Sequence, residues 1–109
     1  MPKFMATAKY TPQALQGVRK DGYQSRQPAL EKLAESLGGK LEQVYFAVSP
    51  NCDLVAIMEL PDSAAAFALL SMANASGVTQ DGDVFELLSP TQADAAISGQ
   101  IQYIPPGQT

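Results

Sequence analysis

The feature that most constrains this chain is a pair of apolar segments within residues 37–62, joined by a short polar break at residues 49–53. In each segment apolar side chains occupy alternate positions, which is the period of a β-strand. The positions between them are largely apolar as well. The sequence therefore predicts a β-hairpin at the centre of a sheet, with a bulge near Glu42-Gln43 and with both faces covered.

The residues before this hairpin predict one strand and one interrupted helix. Residues 3–10 follow the period of a strand. Thr11-Pro12 supplies an N-cap and a proline at the first helical position. Asp21-Gly22 interrupts the helix, and a second helical run over residues 25–37 ends at Gly38-Gly39, where a glycine can take the left-handed conformation.

The residues after the hairpin predict a helix, a strand and a short terminal helix. Asp62 is the N-cap of a helix that runs to Ala75. A strand follows over residues 78–88, and we expect a break in it around residues 81–83. Ser89-Pro90-Thr91-Gln92 has the spacing of a capping box and predicts a helix from Pro90 to about Ser98.

The resulting order, β-α-β-β-α-β with a short C-terminal helix, is the α+β ferredoxin-like arrangement with a four-stranded antiparallel sheet. We expect one domain over residues 1–98 and a tail over residues 99–109, which either adds an edge strand or lies against the body. Two helices cover only one face of such a sheet. We therefore expect the other face to pack against the same face of a second copy, in a homodimer.

Composition narrows the class of function. Seven Lys and Arg residues and a net charge of -4 argue against a nucleic-acid surface. No segment approaches the roughly 20 apolar residues of a membrane span. One cysteine cannot form an internal disulfide, which favours the cytoplasm. Histidine is absent, and no metal or nucleotide motif occurs, so we expect no metal and no cofactor.

Seven residues are candidates for binding a small molecule, and each also has a structural explanation: Tyr10, Arg19, Tyr23, Arg26, Tyr45, Cys52 and Asp53. Arg19 and Arg26 flank the break in the first helix, where they could meet an anion beside Tyr23. The favoured interpretation is that they are solvated charges near helix ends. Tyr10 and Tyr45 fit a core or an interface better than a cavity lining.

Cys52 and Asp53 belong to the turn of the hairpin. Cys52 lacks a histidine that would activate its thiol, so we expect a small turn residue. We expect Asp53 to bond the local backbone as a turn former. The alternative is a carboxylate at the mouth of a cavity.

The segments LEKLAESLGGKLEQVYFA and VAIMELPD, together with TPQALQGVRKDG and LLSPTQADAA, resemble the GYD domain family over roughly residues 3–97. The resemblance implies a ferredoxin-like fold of the dimeric α/β-barrel type, and it implies no particular reaction. The family's naming motif places a glycine, an acidic residue, a tyrosine and an aspartate at the hairpin turn. This chain has Pro50, Asn51, Cys52 and Asp53 there, so only the aspartate matches.

We therefore expect a homodimer that binds a small molecule or a partner protein, with a pocket between the sheet and the broken helix. One alternative, by analogy of fold, is a cofactor-independent oxygenase or isomerase that acts on an apolar substrate in that pocket. It requires a buried Tyr, Arg or carboxylate with a perturbed pKa. Another is a regulatory module that responds to a metabolite at the dimer interface. The residues alone leave open whether the protein is an enzyme.

Overall fold

The computed structural model describes residues 1–108 and confirms an α+β fold with a four-stranded antiparallel sheet. The elements, in chain order, are β1 (Lys3–Tyr10), α1 (Pro12–Asp21), a 3-10 turn (Tyr23–Ser25), α2 (Arg26–Ser36), β2 (Lys40–Phe46), β3 (Leu54–Glu59), α3 (Ser63–Ala75), β4 (Thr79–Leu87) and α4 (Pro90–Ala96).

The strands lie in the order β2-β3-β1-β4, and each neighbouring pair is antiparallel. The prediction that the β2–β3 hairpin lies at the centre of the sheet is wrong for β2, which is an edge strand. The reason is that β1 pairs with the other side of β3 and takes the central place beside it. The predicted bulge is confirmed, because the β2–β3 register shifts between Leu41 and Gln43.

Local capping signals begin and end the helices where the sequence predicts. The Thr11 side chain accepts a hydrogen bond from the Ala14 amide at the start of α1, and Pro12 follows it directly. Gly38 follows α2 with a φ of 81°, in the region that favours glycine. Asp62 caps α3 by accepting a bond from the Ala65 amide at 2.9 Å.

The predicted break in the last strand is wrong, since β4 runs without interruption from Thr79 to Leu87. Gly82 lies within that strand, where the side chain of Asn74 from α3 comes close to it. A Cβ on Gly82 would lie 2.9 Å from the side-chain oxygen of Asn74. The glycine therefore permits a close approach of helix and strand.

The C-terminal capping box is confirmed, and α4 ends at Ala96. Ser89 accepts a bond from the Gln92 amide, and the Gln92 side chain accepts one from the Ser89 amide. Residues 97–108 add no strand to the sheet. Ile101, Tyr103 and Ile104 of this tail are exposed.

Helices cover one face of the sheet. α2 packs against β2, and α3 packs against β4. The core beneath them consists of two clusters. One is centred on Phe4, Met58 and Leu60, and the other contains Tyr10 and Leu54.

No described helix covers the opposite face, which we call the open face. On it Met5 lies between Ile57 and Phe85, and Val55 lies beside Tyr45 in the next row. Phe85 and Tyr45 are 42% and 58% exposed, while the other three are half-buried. The open face therefore carries an apolar cluster that crosses the sheet, and the central strands also place Lys3, Thr7, Lys9 and Glu59 on this face.

Candidate ligand-binding site

A cavity of about 190 Å³ lies over the two central strands, between α2 and α3. The two helices pack over the two edge strands on the same face of the sheet, and the space over β1 and β3 stays open between them. Three alanines form its floor: Ala6 and Ala8 on β1, and Ala56 on β3, directly opposite Ala6. Short side chains at these strand positions give the cavity its depth.

The walls of the cavity are mostly aliphatic and come from both helices. Leu30 and Leu33 line it from α2, and Leu69 and Ala73 line it from α3. In each helix these positions are three or four residues apart, which places them on one face. Both core clusters contribute to the lining, so the cavity lies where the two clusters meet.

One end of this cavity is lined by Tyr10 and Arg26. The other polar residues of the lining are Thr7, Ser76, Thr79 and Asp83. Tyr10 is only 4% exposed. Neither the Tyr10 Oη nor the Arg26 Nε has a hydrogen-bond partner, although both atoms are buried. Folded proteins rarely leave buried polar atoms unpaired, because losing water without a replacement partner costs free energy. We call these two atoms the polar end.

Burial raises the pKa of the Tyr10 hydroxyl above its ordinary value, because the phenolate would lose its hydration. The Arg26 guanidinium opposes this shift in pKa by its positive charge and as a hydrogen-bond donor close to the phenol oxygen, and the negative charge of Asp53 adds to the shift. The hydroxyl is therefore protonated at neutral pH and can donate a hydrogen bond. It is poorly suited to act as a base.

The backbone of Tyr10 is fixed on both sides. Its amide donates a hydrogen bond to Asp53 Oδ2 at 2.8 Å, and its carbonyl accepts one from the Gln80 side chain at 2.8 Å. Gln80 is skipped in the pairing of β1 with β4, where Lys9 faces Asp81 and Tyr10 faces Thr79. Asp53 and Gln80 thus hold the end of β1, and with it the ring that reaches the cavity.

The partner of Asp53 differs from the one we predicted. Its side chain bonds Tyr10, which is 43 residues away in the chain, rather than the local backbone of the turn. Its own amide donates to the Ala8 carbonyl, and its carbonyl accepts from the Ala47 amide. The aspartate therefore connects the hairpin to β1.

Tyr23 lies close to this site without lining the cavity. Its ring meets that of Phe46 edge to face, with 4.8 Å between the ring centroids. The proximity of Tyr23 also raises the pKa of Tyr10. Of the seven candidates, Tyr10, Tyr23, Arg26 and Asp53 are thus brought to one end of the domain.

The other three candidates lie elsewhere. Arg19 is exposed on α1, and Tyr45 lies on the open face, on the far side of the sheet. Cys52 is half-buried beside Asp53, as a free thiol. The cavity lining contains none of these three.

Sequence reasoning missed the aliphatic residues that shape the cavity. Ala6, Ala8 and Ala56 all occupy strand positions that face the helices. Adjacent small residues at such positions on two neighbouring strands are the signal that indicates this space. Leu69 and Ala73 are four residues apart in α3, and this spacing indicates a buried face of the helix but not a space beside it.

Comparison with known proteins decides the family. Residues 4–97 match the GYD domain family model. The chain belongs to the GYD domain family. No curated protein and no solved structure matches at a significant level. In this GYD domain the aspartate of the turn is the residue that bonds the Tyr10 amide. Within residues 1–108, no helix has the length and apolar character needed to cross a membrane.

Proposed function

We propose that this GYD protein is a homodimer that binds a small molecule in the cavity between α2 and α3. The observation that carries the proposal is the pair of unpartnered, buried atoms at the polar end. Leaving both unsatisfied destabilises the empty protein. A ligand that accepts hydrogen bonds from Tyr10 and Arg26 would remove this cost and fill the apolar space behind them.

A blocked cavity tests small-molecule binding. Ala73→Leu adds three carbons to a half-buried wall residue, whereas Ala75→Leu adds them to an exposed position of the same helix. We expect fragments that bind the wild type and Ala75→Leu, detected by amide chemical-shift changes in NMR, to lose binding in Ala73→Leu. Fragments that bind Ala73→Leu unchanged would contradict the proposal. A fragment library with no binder would leave a partner protein as the ligand to seek.

The open face supports the homodimer. It carries aromatic and aliphatic side chains in a contiguous set across the four strands, which is typical of an interaction surface. Packing two open faces against each other covers both, in a symmetric contact. Thr7 and Asp83 continue the row of Val55, so polar residues border the apolar set.

A charge placed on the open face tests the homodimer. Ile57 is paired with Met5 at the middle of this face, and Ile57→Glu would bury a charge in the contact. We expect light scattering with size exclusion to give a dimer for the wild type and a monomer for Ile57→Glu. Phe67→Glu is the matched control, because Phe67 is 71% exposed on α3, on the other side of the sheet. A wild-type monomer at micromolar concentration would refute this part of the proposal.

A second candidate is a cofactor-independent isomerase or oxygenase acting on an apolar substrate. The polar end favours it, because a protonated hydroxyl and a guanidinium in an apolar cavity can stabilise an enolate oxygen. An isomerase would exchange deuterium from D2O into a bound ketone, and Tyr10→Phe would slow that exchange. An oxygenase would consume O2 with the same ligand. Binding without either reaction would leave the first proposal.

The free Cys52 supports a place in the cytoplasm, where thiols stay reduced. Thiol labelling of the protein in intact and lysed cells would test this location. We expect Cys52 to be found reduced.

A further inference from the structure

We infer that the ligand of this cavity is a small carboxylate, whose apolar part is no larger than about one six-membered ring and whose carboxylate meets the polar end. The inference rests on the proposed function and adds the chemical class of the ligand. Three observations carry it: the character of the two unpaired atoms, the unpaired charge of Arg26 and the volume of the cavity.

Both unpaired atoms are hydrogen-bond donors. The Arg26 Nε–H can only donate. The Tyr10 hydroxyl stays protonated in its buried position and has a hydrogen to donate. A carboxylate offers two acceptor oxygens and can take one bond from each donor. An amine would bring further donors to a place that lacks acceptors.

The charge of Arg26 gives the preference for an anion. Within residues 1–108, no carboxylate forms a salt bridge with its guanidinium. The negative charge of Asp53 acts on Tyr10 and weakens the attraction of this end for an anion. Asp53 Oδ2 accepts from the Tyr10 amide, and the Nε–H of Arg26 has no hydrogen-bond partner. A charge-assisted bond to that Nε–H is stronger than a bond to a neutral oxygen.

The cavity limits the size of the ligand. Its volume is about 190 Å³, and an aliphatic cavity of about 150 Å³ is known to hold one benzene molecule. One ring therefore fits behind the polar end, and two fused rings exceed this volume. Leu30, Leu33 and Leu69 form the aliphatic part of the wall around that ring.

A set of probes of matched shape tests the ligand class. We would titrate the protein with benzoate, toluene, benzylamine and 2-naphthoate and follow the amide signals of cavity residues by NMR. We expect benzoate to bind about 10- to 100-fold more tightly than toluene, from one or two charge-assisted hydrogen bonds. We expect benzylamine to bind no more tightly than toluene, and 2-naphthoate to leave the cavity signals unchanged.

Two substitutions at the polar end identify the contacts. Tyr10→Phe and Arg26→Gln should each weaken benzoate binding about 10-fold or more while leaving toluene binding unchanged. Unchanged toluene binding also shows that the variant is folded with its cavity intact. Arg26→Lys keeps the charge without the Nε–H, so its affinity for benzoate should lie between those of the wild type and Arg26→Gln. Tyr103→Phe and Arg19→Gln are the matched controls, since both residues are exposed and outside the cavity.

The outcomes separate this inference from the proposed function. If toluene binds the cavity as tightly as benzoate, or if benzoate binding survives both Tyr10→Phe and Arg26→Gln, the cavity binds ligands but the carboxylate class is wrong. If neither toluene nor benzoate moves the cavity signals of the wild type, the binding function and the ligand class are both overturned. Selective loss of benzoate binding in the two variants supports both.

Discussion

Asp53 offers the sharpest test of how the hairpin positions Tyr10. Asp53→Ala removes one hydrogen bond, from the Tyr10 amide to Oδ2 at 2.8 Å. The two backbone bonds of residue 53, to Ala8 and from Ala47, do not depend on its side chain. A bond to a charged acceptor contributes about 1.5 to 3 kcal/mol, and here the amide left behind is partly buried. We expect Asp53→Ala to lower the free energy of unfolding by about 2 kcal/mol.

Asp53→Asn separates the loss of the acceptor from the loss of charge. The amide oxygen of asparagine can still accept from Tyr10, so we expect a cost of about 1 kcal/mol or less, the worth of a neutral bond. The assay is urea unfolding followed by circular dichroism at pH 7, with all variants at one protein concentration because dimer stability depends on it. Asp62→Ala is a reference, since it removes an exposed helix cap worth about 1 kcal/mol.

Two results would refute this reasoning. If Asp53→Ala changes the free energy of unfolding by less than about 0.5 kcal/mol, its effect is no larger than that of substituting an ordinary surface residue, and the bond adds no measurable stability. If Asp53→Asn costs as much as Asp53→Ala, the charge rather than the bond to Tyr10 would be responsible.

Two further predictions concern stability. Gly39→Ala should destabilise the protein by about 3 kcal/mol or more, because a Cβ there overlaps the Glu59 carbonyl oxygen. Gly17→Ala, at an exposed position of α1 with nothing nearby, should stabilise it by about 0.5 to 1 kcal/mol. A similar midpoint of urea unfolding for both variants would contradict this. Because burial raises the pKa of Tyr10, the native state keeps a proton that the unfolded state loses above about pH 10, so wild-type stability should fall with rising pH there relative to Tyr10→Phe. Urea unfolding at pH 8 and pH 11 measures this, and the exposed Tyr103→Phe should show no such difference.

Signals that act within a few residues of the sequence predicted the fold well. The caps at Thr11, Asp62 and Ser89 and the glycine at Gly38 are confirmed because each bonds or bends the backbone beside it. The predictions that failed depended on distant partners. β2 lies at an edge because β1 pairs with β3, and Gly82 continues a strand because it pairs with Ala8 of β1.

For the candidate site, too, the sequence indicates single residues but not features that depend on distant partners. The sequence indicates Tyr10 as an amphipathic residue of the first strand and Arg26 as a charge beside the break in the first helix, and the structure brings both to one end of a cavity. The cavity itself could not be predicted, because an alanine that packs and an alanine that borders empty space look alike in sequence. Whether helix side chains cover Ala8 and Ala56 depends on the positions of α2 and α3 over the sheet.

Different residues form the alanine floor of the cavity and its polar end. Exchanging Ala6 or Ala56 for glycine, valine or leucine would change the depth of the space and leave the Tyr10 hydroxyl and the Arg26 guanidinium in place. Related proteins with other residues at these floor positions would thus bind ligands of different size and keep the same hydrogen bonds from Tyr10 and Arg26. A change in ligand size would then require only a single substitution in the floor, with a volume change whose cost in stability a small core can tolerate.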